Sequence, residues 1–395
     1  MKFETKVVHS GDRKRTPPRA IPSTTPIYLS STYFYDTAET LDRIFGHEED
    51  GPSYSRYANP TNDALEELTT ELEGGFGSLA TCSGMTALQL AFQAALMDKA
   101  PRIVSASAIY GATMKMLDVM LAPFHIETTY VDICDLEAVK ATVERVKPGC
   151  IFMESISNPV LRVGDIAEVA KIAKANGATL IVDSTFSTPM LQRPLAEGAN
   201  MVVHSATKFF AGHGDVLGGI IVSDEEHHET VRTLSRVVGG TLGPFESYLT
   251  MRGIKTLALR FERQCQNAAA LAQWLSSHPL VDKVNYCGDP NHPDAAAIKK
   301  SFAPGLYGAI LSFEIKGADR AAVMKFMNRL KLVVPGTSLG DVHTLLLYPV
   351  IASHRDVAPK LRERQGIRDN LVRISAGIEA LEDIKADLDA ALYPD

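Results

Sequence analysis

From residue 60 onward the chain alternates two textures. In one, apolar residues recur every three or four positions; in the other, short unbroken apolar runs end on serine or aspartate. "DALEELTTELEG" puts Leu65, Leu68 and Leu72 on one stripe, which predicts a helix stopped by Gly74 and Gly75. "MTALQLAFQAALM" spaces Leu88, Phe92 and Leu96 by four, and "DIAEVAKIAKANG" is an amphipathic helix with Asp165 as N-cap and an Asn-Gly stop. The unbroken runs "RIVSAS", "IETTYVD", "CIFMES", "TLIVDS", "MVVHS" and "GGIIVS" predict buried strands between such helices. That alternation indicates a mostly parallel sheet covered on both faces, an α/β arrangement. Ligands bind such sheets outside the carboxyl ends of the strands.

The texture differs at both ends. Residues 1–58 are rich in proline, serine, threonine and tyrosine, without a sustained helical period, and predict an extended arm. Residues 59–257 form the α/β domain. Residues 258–395 form a smaller α+β domain. "GIKTLALRFERQCQNAAALAQWLSSHP" predicts one long helix, "GAILSFEIKG" a half-exposed strand, "RAAVMKFMNRL" a helix, "LVRIS" a strand and "LEDIKADLDAAL" a last helix.

Charge excludes some functions. The chain of 395 residues has a net charge of −7 with both signs interspersed, and its densest basic run, "DRKRTPPR" at 12–19, is broken by prolines. It reads as a solvated arm, so no nucleic-acid partner is expected. No apolar run approaches membrane-spanning length, and no leader-like apolar region opens the chain. Five scattered cysteines without a C-x-x-C pair predict no disulfide framework and no metal cluster, and hence a cytoplasmic, reducing location.

Candidate chemistry gathers at the strand ends. "LIVDST" ends a strand on Asp183, and "SATKFFAGHGDVLGG" places Lys208 after Ser205 and Thr207 and before a glycine-rich stretch. Read singly, Asp183 fits a turn or helix cap better than a cofactor partner. Together the two suit pyridoxal 5′-phosphate (PLP), which needs a lysine for its Schiff base and a carboxylate for its pyridine nitrogen. Ser83, Gly84 and Met85 open a predicted helix, where free amides and the dipole bind an anion or Ser83 simply caps. Tyr110 follows the strand "RIVSAS", as a ring for stacking on a flat cofactor or as a core aromatic.

The segments "SATKFFAGHGDVLGG", "VDST", "SGMTA", "YSRYANPT" and "LVRISAGIE" resemble the Cys/Met-metabolism family of PLP enzymes, with its cystathionine γ-synthases, cystathionine γ- and β-lyases and methionine γ-lyases. The likeness runs from "KVVHSGD" to the terminal helix. It implies PLP fold type I, the aspartate-aminotransferase-like architecture, in a homotetramer of two tight dimers. By that resemblance Lys208 carries PLP and shuttles the proton, and Asp183 meets the pyridinium nitrogen. Ser83, Gly84, Met85, Ser205 and Thr207 hold the phosphate, joined by Tyr54 and Arg56 of a neighbouring subunit. Tyr110 stacks on the ring and assists proton transfer, and Asn158 lies by the ring hydroxyl. Ser338 and Arg373 bind the substrate carboxylate, with Thr337 beside them.

Three positions depart from the family pattern. Ser184 replaces a common asparagine, a change expected to be mild. Thr337 stands where relatives that use cystathionine carry glutamate, and Ala112 where several methionine γ-lyases have cysteine. The implied activity is α,γ- or α,β-elimination on a sulfur amino acid, giving a 2-oxo acid, ammonia and a thiol. The alternatives are a γ-replacement synthase and a PLP-binding regulator without turnover.

Overall fold

The computed structural model describes residues 1–11, 21–46, 48–355, 357 and 359–393. The basic run at 12–19 lies outside the described residues.

Seven strands form the larger sheet: β1 (Gly77–Thr81), β2 (Arg102–Ala106), β3 (Glu127–Val131), β4 (Cys150–Glu154), β5 (Thr179–Asp183), β6 (Met201–Ser205) and β7 (Gly219–Ser223). Their order is β1-β7-β6-β5-β4-β2-β3, and only β7 runs antiparallel to its neighbours. Alternate residues serve opposite faces. Ile221 joins the core under the helices Gly84–Leu96 and Ile166–Ala175, whereas Ile220 and Val222 join the core under Pro60–Glu73 and Leu257–Ser276. Burial on both faces explains why these strands are unbroken apolar runs.

The predicted helices form where the stop and start signals place them. Gly74 ends Pro60–Glu73 in the left-handed region at φ 73°. The Asp165 carboxylate accepts the Glu168 N–H at 3.1 Å and caps Ile166–Ala175. A second sheet, β8 (Val281–Asn285), β9 (Ile310–Ile315), β10 (Val334–Pro335), β11 (Leu345–Leu347) and β12 (Leu371–Ser375), has the order β10-β11-β12-β9-β8. The helices Leu257–Ser276, Arg320–Arg329 and Leu381–Leu392 cover it. A mostly parallel sheet beside a smaller, largely antiparallel one is the fold type I arrangement.

Three expectations are corrected, and one strand carries no signal in the sequence. The arm contains two short helices, Phe3–His9 and Ala38–Phe45. The predicted long helix begins only at Leu257, because the preceding helix, Pro244–Ile254, ends before Lys255 and Thr256. β9 is buried at every position rather than half-exposed. Its polar residues find partners at the edge of the core: Asn285 donates to Ser312 Oγ at 3.0 Å, and Arg368 donates to the Glu314 carboxylate at 3.1 Å. Finally, β1 reads "GSLAT", and its small residues carry no apolar signal. Among the described residues no helix is long and apolar enough to cross a membrane.

Candidate active site

Because β2, β4, β5 and β6 are parallel, their carboxyl ends open on one side. The residues just beyond them converge on a cavity of about 430 Å³. Tyr110 arrives after β2, Asn158 after β4, Asp183 ends β5, and Ser205, Thr207 and Lys208 end or follow β6. Ser83, Gly84 and Met85 reach it at the start of the helix Gly84–Leu96. The smaller sheet contributes Arg373 from the middle of β12, with Thr337 and Leu339 from the loop before β11.

Each group is held by identifiable contacts. Lys208 Nζ donates to Ser338 Oγ at 2.9 Å. Arg373 Nη1 donates to Asn158 Oδ1 at 2.9 Å, and Nη2 to the Ser338 carbonyl at 3.0 Å. Asp183 Oδ1 accepts the Thr185 N–H at 3.0 Å, and Thr185 Oγ1 accepts the Ser205 N–H at 2.9 Å. Thr207 Oγ1 accepts the Gly218 N–H at 3.0 Å, which folds the glycine-rich stretch back over the lysine segment. Ser83 does act as an N-cap, accepting the Thr86 N–H at 3.1 Å. The amides of Gly84 and Met85 in that first turn have no intrahelical acceptor. A Cβ on Gly84 would lie 3.0 Å from the Ser205 Cβ, so a glycine lets the helix start meet the end of β6.

Burial sets the charge balance. It pulls the Lys208 amine down to about 8, and the nearby Arg373 cation pulls the same way. Burial raises Asp183 above the ordinary carboxylate range, although its hydrogen bonds with Thr185 work against this. Burial also lowers Arg373, to about 10. That guanidinium is 2% exposed, has no ion-pair partner among the described residues, and leaves Nε without an acceptor. A buried cation at a cavity wall, with one donor still unfilled, suits a carboxylate ligand.

Several residues fall elsewhere. Tyr54 and Arg56 do not line the cavity of their own chain. Arg56 Nη1 donates to the Arg236 carbonyl, and its guanidinium lies 4.7 Å from the Tyr57 ring centroid. Ser184 is fully buried and shares its hydroxyl with Ser187 at 2.6 Å, turned away from the cavity; Ala112 does not line it either. The cavity also contains groups that sequence reasoning passed over. Glu154 ends β4 just as Asp183 ends β5, and that parallel was the available signal. Leu217, Leu347, Ala352 and Ser353 reach the cavity by tertiary approach and carry no local signature.

A family model described as Cys/Met metabolism PLP-dependent enzyme matches residues 4–393. The chain is 40% identical to an L-methionine gamma-lyase of Fusobacterium nucleatum over 370 residues, 93% of this chain and 92% of that one. It is 37% identical to an O-succinylhomoserine sulfhydrylase of Pseudomonas aeruginosa, across 98% of this chain and 94% of that one. The structure is similar to that of a cystathionine gamma-lyase from Lactobacillus plantarum complexed with L-serine. That match has a TM-score of 0.91 and 35% identity, and covers 99% of this chain and 98% of the other.

Proposed function

The chain belongs to the Cys/Met metabolism family of PLP-dependent enzymes, and from that premise we propose that its cavity carries out carbon–sulfur elimination on a sulfur amino acid with an apolar thioether. The observation that carries this reading is the cavity's polarity. A buried arginine without an ion pair stands at one pole, and Leu217, Leu339, Leu347 and Ala352 line much of the rest. An amino acid with an apolar side chain matches both ends.

The donor set fits PLP. Lys208 is a half-buried amine lowered to about 8, Asp183 is a carboxylate at a strand end, and the first amides of a 13-residue helix lie beside two hydroxyls. Bound PLP supplies an aldehyde for a covalent link to an amine and an electron sink for charge developing at the substrate's α-carbon. Lys208 would hold it covalently and Asp183 would face its ring nitrogen. Ser83, Gly84, Met85, Ser205 and Thr207 would hold its phosphate, with Tyr110 against the ring.

The chain's own residues then do the following. Arg373, oriented by Asn158, binds the substrate carboxylate, and Ser338 keeps the Lys208 amine next to it. Lys208 Nζ, freed from its covalent link once the substrate's amine has taken its place and uncharged above about pH 8, would accept the proton from the α-carbon. Tyr110 donates a proton to the departing sulfur. For methionine the balance is one water consumed, with methanethiol, 2-oxobutanoate and ammonia released.

A second reading, γ-replacement on an acylated homoserine, has the sulfhydrylase similarity in its favour. The two diverge only after the leaving group departs. The test compares 2-oxo acid release from methionine, cystathionine and cysteine with thiol addition to O-acylhomoserine. Elimination from at least one thioether is expected; replacement alone, with no 2-oxo acid from any thioether, overturns the proposal.

We also propose a homotetramer with sites shared between subunits. Leu29 (76% exposed) and Phe34 (93% exposed) leave apolar surface on the arm for a second copy to cover. A cytoplasmic location is supported by five free cysteines.

A further inference from the structure

Glu154 is the last residue of β4 and lies in register beside Asp183 of β5. Its side chain is buried, yet it reaches the cavity. It also borders a second cavity of about 280 Å³, shared with Ser107, Ser157 and Gln365. The carboxylate accepts the backbone N–H of Tyr110 at 2.6 Å, and the backbone N–H of Asn158 as well. Those two loops deliver the ring and the amide named above.

The Tyr110 backbone is confined from a second direction. A Cβ on Gly111 would fall 2.1 Å from the Ser353 carbonyl oxygen, so the turn is confined between Glu154 and Ser353. Asn158 in turn accepts from Arg373. One carboxylate therefore stands behind both the group proposed to protonate the leaving sulfur and the group that orients the carboxylate-binding arginine.

We infer that Glu154 is a positioning residue for the elimination proposed above, holding Tyr110 and Asn158 by their backbone N–H groups. Its reach matters more than its charge. Burial and the neighbouring Asp183 both push Glu154 toward its neutral form, against the two N–H donors and Arg373. A neutral carboxyl still accepts through its carbonyl oxygen, and so does a glutamine amide.

Two conservative variants separate reach from charge, and both are close enough in size to fold. Glu154→Gln keeps the reach and removes the charge. Glu154→Asp keeps the charge and withdraws the oxygens by one methylene. Misplacing a reacting group by about 1 Å lowers turnover by up to about a hundredfold. Glu154→Asp should therefore lower kcat for 2-oxo acid release by about thirtyfold or more, and Glu154→Gln by about threefold. Circular dichroism in the absorption band of bound PLP should weaken in Glu154→Asp and stay near wild type in Glu154→Gln, a readout independent of turnover.

In a Tyr110→Phe background Glu154→Asp should lose much less than it does alone, because the clamp then has less to position. The inference is overturned if glutamine is the more damaging change, if the two variants fall within twofold of each other, or if the aspartate effect multiplies fully with Tyr110→Phe. Its failure is distinct from failure of the lyase reading, which would show as absent elimination in the wild type itself.

Discussion

Lys208 is a lysine made useful by its surroundings. Burial and the Arg373 cation place its titration near 8, so the amine is protonated below that and free above it. Capture of added PLP by the cofactor-free protein should accordingly speed up about tenfold per pH unit below about 8 and level off above it, followed by absorbance. Arg373→Leu should move that inflection to higher pH, since it removes a cation that favours the neutral amine; an unmoved or lowered inflection contradicts the assignment. Thr337 bears on substrate choice. It lines the cavity from an exposed position, so a carboxylate there meets the distal ammonium of cystathionine in screened surroundings. Such a pair contributes ~1 kcal/mol, and Thr337→Glu should shift the kcat/KM ratio of cystathionine to methionine about fivefold toward cystathionine. A ratio unchanged within error removes Thr337 from specificity. Lys208 and Asp183 were legible in the sequence because each ends or follows an unbroken apolar strand with distinctive neighbours. Glu154 ends "CIFME" in the same way, but a glutamate after a buried run reads as the run's polar stop. Its place at the cavity and the Tyr110 N–H that it accepts show otherwise.

At the scale of elements, the site depends on the smaller sheet approaching the lysine segment closely. Gly340 allows this: it sits at φ 75°, and a Cβ there would lie 2.6 Å from Phe209 N and 3.0 Å from the Lys208 carbonyl carbon. Gly340→Ala would combine left-handed strain of about 1–3 kcal/mol with a backbone clash that pushes Ser338 off Lys208 Nζ. Gly305 isolates the two effects, since its φ is 80° with nothing within 4 Å of a Cβ. Both alanine variants should lose stability in urea melts, Gly340→Ala more. Elimination should fall more than tenfold only in Gly340→Ala; equal behaviour of the two would show that the close approach is immaterial. Six strands of the larger sheet and three of its helices, Pro60–Glu73, Gly84–Leu96 and Ile166–Ala175, were legible because periodicity and terminators agree with their buried faces; Leu136–Val146, Glu225–Val238 and Pro244–Ile254 were not read. β1 was not, since "GSLAT" gains its strand character only by pairing with β7. The alternation in β9 misled because Ser312 and Glu314 are met by Asn285 and by Arg368, whose side chain reaches in from an exposed position, and no local pattern announces either.

For the whole molecule the open element is the arm. Tyr54 and Arg56 lie away from their own chain's cavity, and Tyr54 is 42% exposed. If they complete a neighbouring subunit's phosphate site, Arg56→Ala should bind PLP more weakly. Mixing it with Lys208→Ala should restore activity in hybrid dimers, where one site is intact. Verified mixed dimers without activity would mean that each site is built from one chain. The family motif near Tyr54 is what suggests that role for the arm. Its two short helices were not legible, because Phe3–His9 and Ala38–Phe45 are too brief to show a period. The claim on which all of this rests is that Lys208, in the cavity at the strand ends, carries the cofactor. Borohydride reduction of the PLP-loaded protein, followed by peptide mapping, should place a pyridoxyl group on the peptide containing Lys208; label on another lysine, with Lys208 unmodified, would contradict the account.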